Sequence, residues 1–309
     1  MGAGVCSTPR GSELWQSLTG QVLEGVALDN VTVLRLDRCG GLAPGNKQFK
    51  LAPHLALIAA AGHRRVLSFG GAWSNHLHAL AAVGQAAALE TVGVIRGERP
   101  QRLSPTLADA AQWGMQLHFV SRSDYRRRQQ PGFVATLSRE LGADHVIPEG
   151  GAGPLGAAGC RPLAEMIAAR FPQGARVVVG VGTGTTLAGL AAALPATFHI
   201  DGIVALRGEG GLEATIAALV AAQVPAAHAR WRLHRDFHCG GFARADARLR
   251  ELMLRCDREL GLALEPVYTG KALLALHSWL AAGVGSVRQP VVLVHTGGLQ
   301  GRRGYPWLN

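Results

Sequence analysis

The chain has 309 residues, 48% of them hydrophobic and 17% charged, which suits a folded protein with room for two modest domains and excludes a disordered chain. Its formal net charge is +10, but the basic residues are dispersed. The densest run, Arg122 to Arg128, reads as a solvated face and not as a nucleic-acid contact.

The apolar stretches are all broken well before they could span a bilayer, so no membrane partner is expected. Met1 to Ser7 lack a basic region followed by an apolar run, so no secretory signal is expected and the location reads as cytoplasmic. Five cysteines (Cys6, Cys39, Cys160, Cys239 and Cys256) form no C-x-x-C pair and read as free thiols in a reducing compartment.

In chain order, short β-branched or apolar runs predict buried parallel strands over 31–36, 65–68, 91–95, 116–119, 175–179, 203–205 and 291–294. Ala- and Leu-rich stretches with helical spacing predict helices over 51–61, 76–88, 163–170, 187–193 and 245–259. The alternation indicates open α/β sheets, which bind ligands at the carboxyl ends of their strands. The Gly-rich stretch 149–159 reads as either a domain junction or a ligand loop.

Four places after predicted strands carry chemistry. Pro44-Gly-Asn-Lys-Gln-Phe-Lys50 places Lys47 in a loop before a helix, where partial desolvation can make a lysine amine a carbonyl nucleophile; most lysines are surface charges. Gly70-Gly-Ala-Trp-Ser-Asn-His-Leu-His78 puts Ser74 and Asn75 at a helix start, either as caps or as ligands for a carboxylate and a ring oxygen. His76 and His78 lack the i, i+4 spacing of a metal pair.

The third place, Val181-Gly-Thr-Gly-Thr-Thr186, joins a strand to a helix through Gly and Thr, as a phosphate cradle does, and lacks a P-loop lysine. A tight structural turn is the alternative. A nucleotide-binding oxidoreductase or methyltransferase would need an acidic partner about 20 residues on, and Asp201 reads as preceding its strand. Last come Glu265-Pro-Val-Tyr-Thr-Gly-Lys271 and His295-Thr-Gly-Gly298, with Tyr268 in the one and Thr296 at a strand end in the other.

In this order, from Val31 to Gly298, the motifs resemble the pyridoxal-phosphate (PLP) family that contains D-cysteine desulfhydrase and 1-aminocyclopropane-1-carboxylate (ACC) deaminase. The resemblance implies an α/β protein of PLP fold type II, the tryptophan synthase beta-like class, with two open twisted sheets flanked by helices and the cofactor between them. It implies a large domain, 1–47 plus 149–309, a small inserted domain, 48–148, and a homodimer.

By the same resemblance Lys47 holds PLP as a Schiff base and Asn75 bonds its ring oxygen. Gly182, Thr183, Gly184, Thr185 and Thr186 hold its phosphate, and Thr296 faces its pyridine nitrogen. Ser74 holds the substrate carboxylate, Tyr268 stands beside the reacting carbons, and Asn75, His76 and Trp73 border the substrate. The implied activity is that of a lyase or hydrolase on a small amino acid, first a D-cysteine desulfhydrase giving pyruvate, ammonia and sulfide. Thr269 and His76 match that branch, and ACC deamination to 2-oxobutanoate is the alternative. Ala72-Trp73 before Ser74, Gln48-Phe49 after Lys47, and Leu299-Gln300 at the end depart from the family pattern. A PLP-binding protein with lost or altered activity therefore also stays open.

Overall fold

The computed structural model describes residues 11–308, apart from 42, 209, 224–227 and 284–288. The readings that rest on Met1 to Ser7 and on Cys6 lie outside the described residues. Strand β1 (Trp15–Ser17), the hairpin β2 (Val22–Leu23) and β3 (Val26–Ala27), and β4 (Val31–Arg35) come first. Then follow α1 (Asn46–Ala61), β5 (Arg65–Gly70), α2 (Asn75–Ala86), β6 (Glu90–Arg96) and α3 (Pro105–Gln112). After them come β7 (Gln116–Val120), α4 (Arg122–Tyr125), α5 (Pro131–Glu140) and β8 (His145–Ile147).

Next are α6 (Pro154–Ala158), α7 (Arg161–Arg170), β9 (Arg176–Val181), α8 (Thr185–Ala193), β10 (His199–Val204) and α9 (Leu212–Ala221). The last elements are β11 (Arg230–His234), α10 (Ala247–Leu260), α11 (Thr269–Ala281) and β12 (Val291–His295).

Two main sheets result. The larger has the order β1-β4-β12-β9-β10-β11, parallel except for the antiparallel edge strand β1. The smaller has the order β7-β6-β5-β8 and is parallel throughout. Helices cover both faces of each, so central strands such as Val291–His295 are buried end to end. Period-two alternation divides them: Val177 and Val179 pack in one core with Leu187 of α8, while Val178 packs in the other with Leu273 of α11. The small sheet does the same, with Val66 facing Leu77 of α2 and Leu67 facing Leu137 of α5.

Two expectations need correction. Helix α1 begins at Asn46, so Lys47 lies in its first turn and not in a loop. Pro53 concealed this, because proline is usual near a helix start and here it is interior. The Phe49 carbonyl that Pro53 cannot bond lies against Gly159, where a Cβ would stand 2.2 Å from it. Asp201 lies inside β10, not before it, and is buried against Arg176 and His234. The basic run 122–128 is partly paired, Arg127 with Asp124 and Arg128 with Glu149. Cys39, Cys160, Cys239 and Cys256 form no disulfide among the described residues. No helix among the described residues is long and apolar enough to cross a membrane.

Helices α6 and α8 touch through Gly189, where a Cβ would meet the Ala157 carbonyl oxygen at 2.2 Å. In an open helix Gly→Ala gains about 1 kcal/mol. Here overpacking of about 1–3 kcal/mol opposes that gain. Gly189→Ala should therefore lower the urea midpoint without changing the slope; a midpoint at or above wild type would show that the two helices part freely.

Candidate active site

Lysine is scarce here: the whole chain contains three, Lys47, Lys50 and Lys271. Lys271 is fully buried, and its Nζ donates to the Ala205 and Gly241 carbonyls at 3.1 and 2.8 Å, so it is committed to structural hydrogen bonds. Lys50 is buried one turn after Lys47 with no hydrogen-bond partner among the described residues, and burial, then the Lys47 charge, lowers its pKa to about 7. Lys47 is half-buried and opens onto a narrow cleft that Lys50 and Lys271 do not line.

Burial lowers the Lys47 pKa to about 8, against an opposing pull from Glu265 and Cys160. Glu265 does not neutralise the amine by contact. Its carboxylate accepts the backbone N–H groups of Val267, Tyr268 and Thr269 at 2.6 to 2.8 Å, capping α11, although burial itself raises its pKa. Lys47 Nζ instead donates to Asn46 Oδ1 at 3.0 Å, and Asn46 Nδ2 donates to Thr186 Oγ1 at 3.0 Å. This two-bond chain connects the amine to the Gly/Thr turn.

That turn joins β9 to α8. Gly184 stands before the helix in the left-handed region, with φ 77°, and no side chain caps the first turn. Its free N–H groups and the Thr183 and Thr185 hydroxyls, 3.0 Å apart, are an anion cradle at a positive helix end. Across the cleft, Gly45 pairs with Gly297, and a Cβ at 45 would lie 2.6 Å from the Thr296 carbonyl oxygen. The same carbonyl accepts the Asn46 N–H at 3.0 Å, which sets the start of α1 against the end of β12.

The structure brings Lys47, Asn75 and Thr296 into one cleft, together with Asn46, Gly298 and Gln300. Trp73, Ser74, His76, Tyr268 and 182–186 do not line it. Ser74 caps α2, its Oγ accepting the Leu77 N–H at 3.2 Å. Trp73 is exposed and its ring packs over Gly304. His76 is buried, with Nε2 2.8 Å from Ser68 Oγ; desolvation and the nearby lysines hold its pKa well below the ordinary imidazole range, so it is neutral. The Tyr268 ring stands over Gly182, with Phe242 edge-on at 6.3 Å. The Gly-rich stretch packs beside the site, Gly150 against Thr183 and Gly151 against Lys50 and His76.

Sequence reasoning passed over Asn46, Lys50, Glu265 and Gln300. Asn46 adjoins a chosen residue and could have been found; the burial of Lys50 and the partner of Gln300 follow only from packing. An amine of lowered pKa joined by two hydrogen bonds to an uncapped helix N-terminus fits a cofactor that carries an aldehyde and a phosphate.

The family described as pyridoxal-phosphate dependent enzyme matches residues 32–297. A Pyrococcus horikoshii protein, provisionally named 1-aminocyclopropane-1-carboxylate deaminase, is 26% identical over 89% of this chain and 86% of its own. A D-cysteine desulfhydrase of Salmonella newport is 27% identical over 82% of each. In fold, the chain is similar to the crystal structure of an ACC deaminase homologue, with TM-score 0.76 and 24% identity over 91% of this chain and 87% of that one. Threonine deaminase isoform 2 of Solanum lycopersicum follows at TM-score 0.63 and 14% identity, over 94% and 81%. The resemblance read from the motifs and the PLP fold type II are thereby borne out, while the hydrolase class gains no support. The chain belongs to the pyridoxal-phosphate dependent enzyme family, and its cofactor is pyridoxal phosphate.

Proposed function

We propose that this enzyme is a lyase of the D-cysteine desulfhydrase type, converting D-cysteine and water into pyruvate, ammonia and sulfide. The carrying observation is Lys47, the one lysine that opens onto the cleft, with a pKa of about 8. The cofactor supplies an electron sink for negative charge at the substrate Cα. Lys47 Nζ, more readily uncharged near neutral pH than an ordinary lysine, takes the Cα proton and later gives a proton back. The free N–H groups at the start of α2 beside Ser74 take the substrate carboxylate. Tyr268 would cover the far side of the reacting carbons, and Thr183 to Thr186 would hold the phosphate.

Elimination is favoured over ring opening because Thr269 brings no acid to this wall. It is buried, and its hydroxyl donates to the Glu265 carbonyl at 3.1 Å. The nearby Glu265 carboxylate is taken up by three backbone N–H groups. A neutral Thr296 hydroxyl facing the pyridine nitrogen would leave the sink weak, which would suit prompt loss of a β thiolate. The second reading, ACC deamination, draws on the provisional names of relatives such as the P. horikoshii protein. In this account 48–148 is the small domain, 1–47 with 149–309 the large one, and the working form is a cytoplasmic homodimer.

Because only the uncharged amine condenses with an aldehyde, the rate of PLP uptake by the apoprotein should rise with pH and level off above about 8. A plateau beginning only above 10 would mean that Lys47 is an ordinary exposed lysine.

Incubation with D-cysteine should release sulfide and pyruvate in equal amounts, and Lys47→Ala should lower that rate by roughly 10²–10⁴-fold or more. Release of 2-oxobutanoate from ACC without sulfide from D-cysteine would select the second reading. No product from either would leave a PLP-binding protein of altered function.

A further inference from the structure

The Asn75 amide has a donor end and an acceptor end, and its neighbours decide which one the cleft meets. Asn75 Oδ1 accepts a hydrogen bond from Gln300 Nε2 at 2.7 Å. Asn75 Nδ2 lies over Gly298, where a Cβ would stand 2.5 Å away, so glycine alone leaves room for it. Asn75 and Gln300 both line the cleft with Lys47.

Gln300 is itself held from both sides. It belongs to the 3₁₀ turn Leu299–Gly304, one turn of which Arg302 anchors by pairing with Asp257 and donating to the Leu264 carbonyl at 2.7 Å. Arg303 pairs with Asp109 of α3, whose carboxylate also meets His78 Nε2 at 3.1 Å. Gly304 rests under the Trp73 ring. The turn thus ties the start of α2 and α3 to the region of α10.

With its carbonyl committed to Gln300, Asn75 has its NH2 left for a ligand. We infer that Gln300 is a positioning residue that fixes Asn75 with its donor end toward the cleft and so makes this wall select an anionic oxygen. On the functional reading above, on which this rests, that oxygen is the ring oxygen of pyridoxal phosphate. A hydrogen bond there spreads the oxygen's charge and weakens its hold on the proton shared with Lys47 Nζ. It therefore lowers the pH at which the visible band of the bound cofactor changes.

The test is a spectrophotometric pH titration of the PLP-loaded protein, for wild type, Gln300→Leu and Gln300→Glu, each also in an Asn75→Ala background. Gln300→Leu removes the donor that orients Asn75 and should raise the midpoint by about half a unit. Gln300→Glu keeps the shape but demands a donor, so the amide turns over and the midpoint should rise by about one unit, with PLP held roughly tenfold more weakly. In the Asn75→Ala background Gln300→Leu should change nothing, since its effect passes through the missing amide.

Unchanged midpoints in both Gln300 variants, or a Gln300→Leu shift that persists without Asn75, overturn the inference and leave the functional reading intact. A wild-type protein that shows no visible band after PLP addition overturns both.

Discussion

An amine loses its charge more readily when it is taken out of water and given no carboxylate partner. Lys47 goes part of that way, its pKa lowered to about 8. Its surroundings bury it, while Cys160 and then Glu265 pull its pKa partly back up. The Glu265 carboxylate makes its hydrogen bonds elsewhere, Oε1 accepting the Tyr268 and Thr269 N–H groups at the start of α11 and Oε2 the Val267 N–H just before it.

The same logic extends around the site. Four helices start at or beside the proposed site: α1 at Asn46, α2 at Asn75, α8 at Thr185 and α11 at Thr269. Three of them follow closely on parallel strands or on the Gly45–Gly297 bridge. Helix starts carry partial positive charge and unsatisfied donors, which lower the pKa of a nearby ammonium and attract anionic groups. The net charge of +10, held almost wholly by arginine in a chain with three lysines, adds a positive field without offering competing amines.

How much of this was legible depended on whether the signal was local. Strands such as 291–295 were readable because burial on both faces writes an unbroken apolar run. Strand β11, Arg-Trp-Arg-Leu-His, was not, because a half-exposed edge strand needs no such run. Lys47 could be nominated from the order of the motifs, but its helical setting was masked by the interior Pro53. Gln300 could be noted as a departure from the family, whereas its partner lies 225 residues away and only the fold makes them neighbours. Asp201 shows the converse: an acidic residue at a suggestive distance that packing uses to hold Arg176 and His234.

The central claim is that Lys47 alone carries the cofactor. Borohydride reduction of the PLP-loaded protein, followed by digestion and mass spectrometry of the peptides holding Lys47, Lys50 and Lys271, tests it directly, because these are the only lysines in the chain. The account predicts a pyridoxyl group on Lys47 and none on the other two. A label on Lys50 or Lys271, or no label on any lysine, would contradict it.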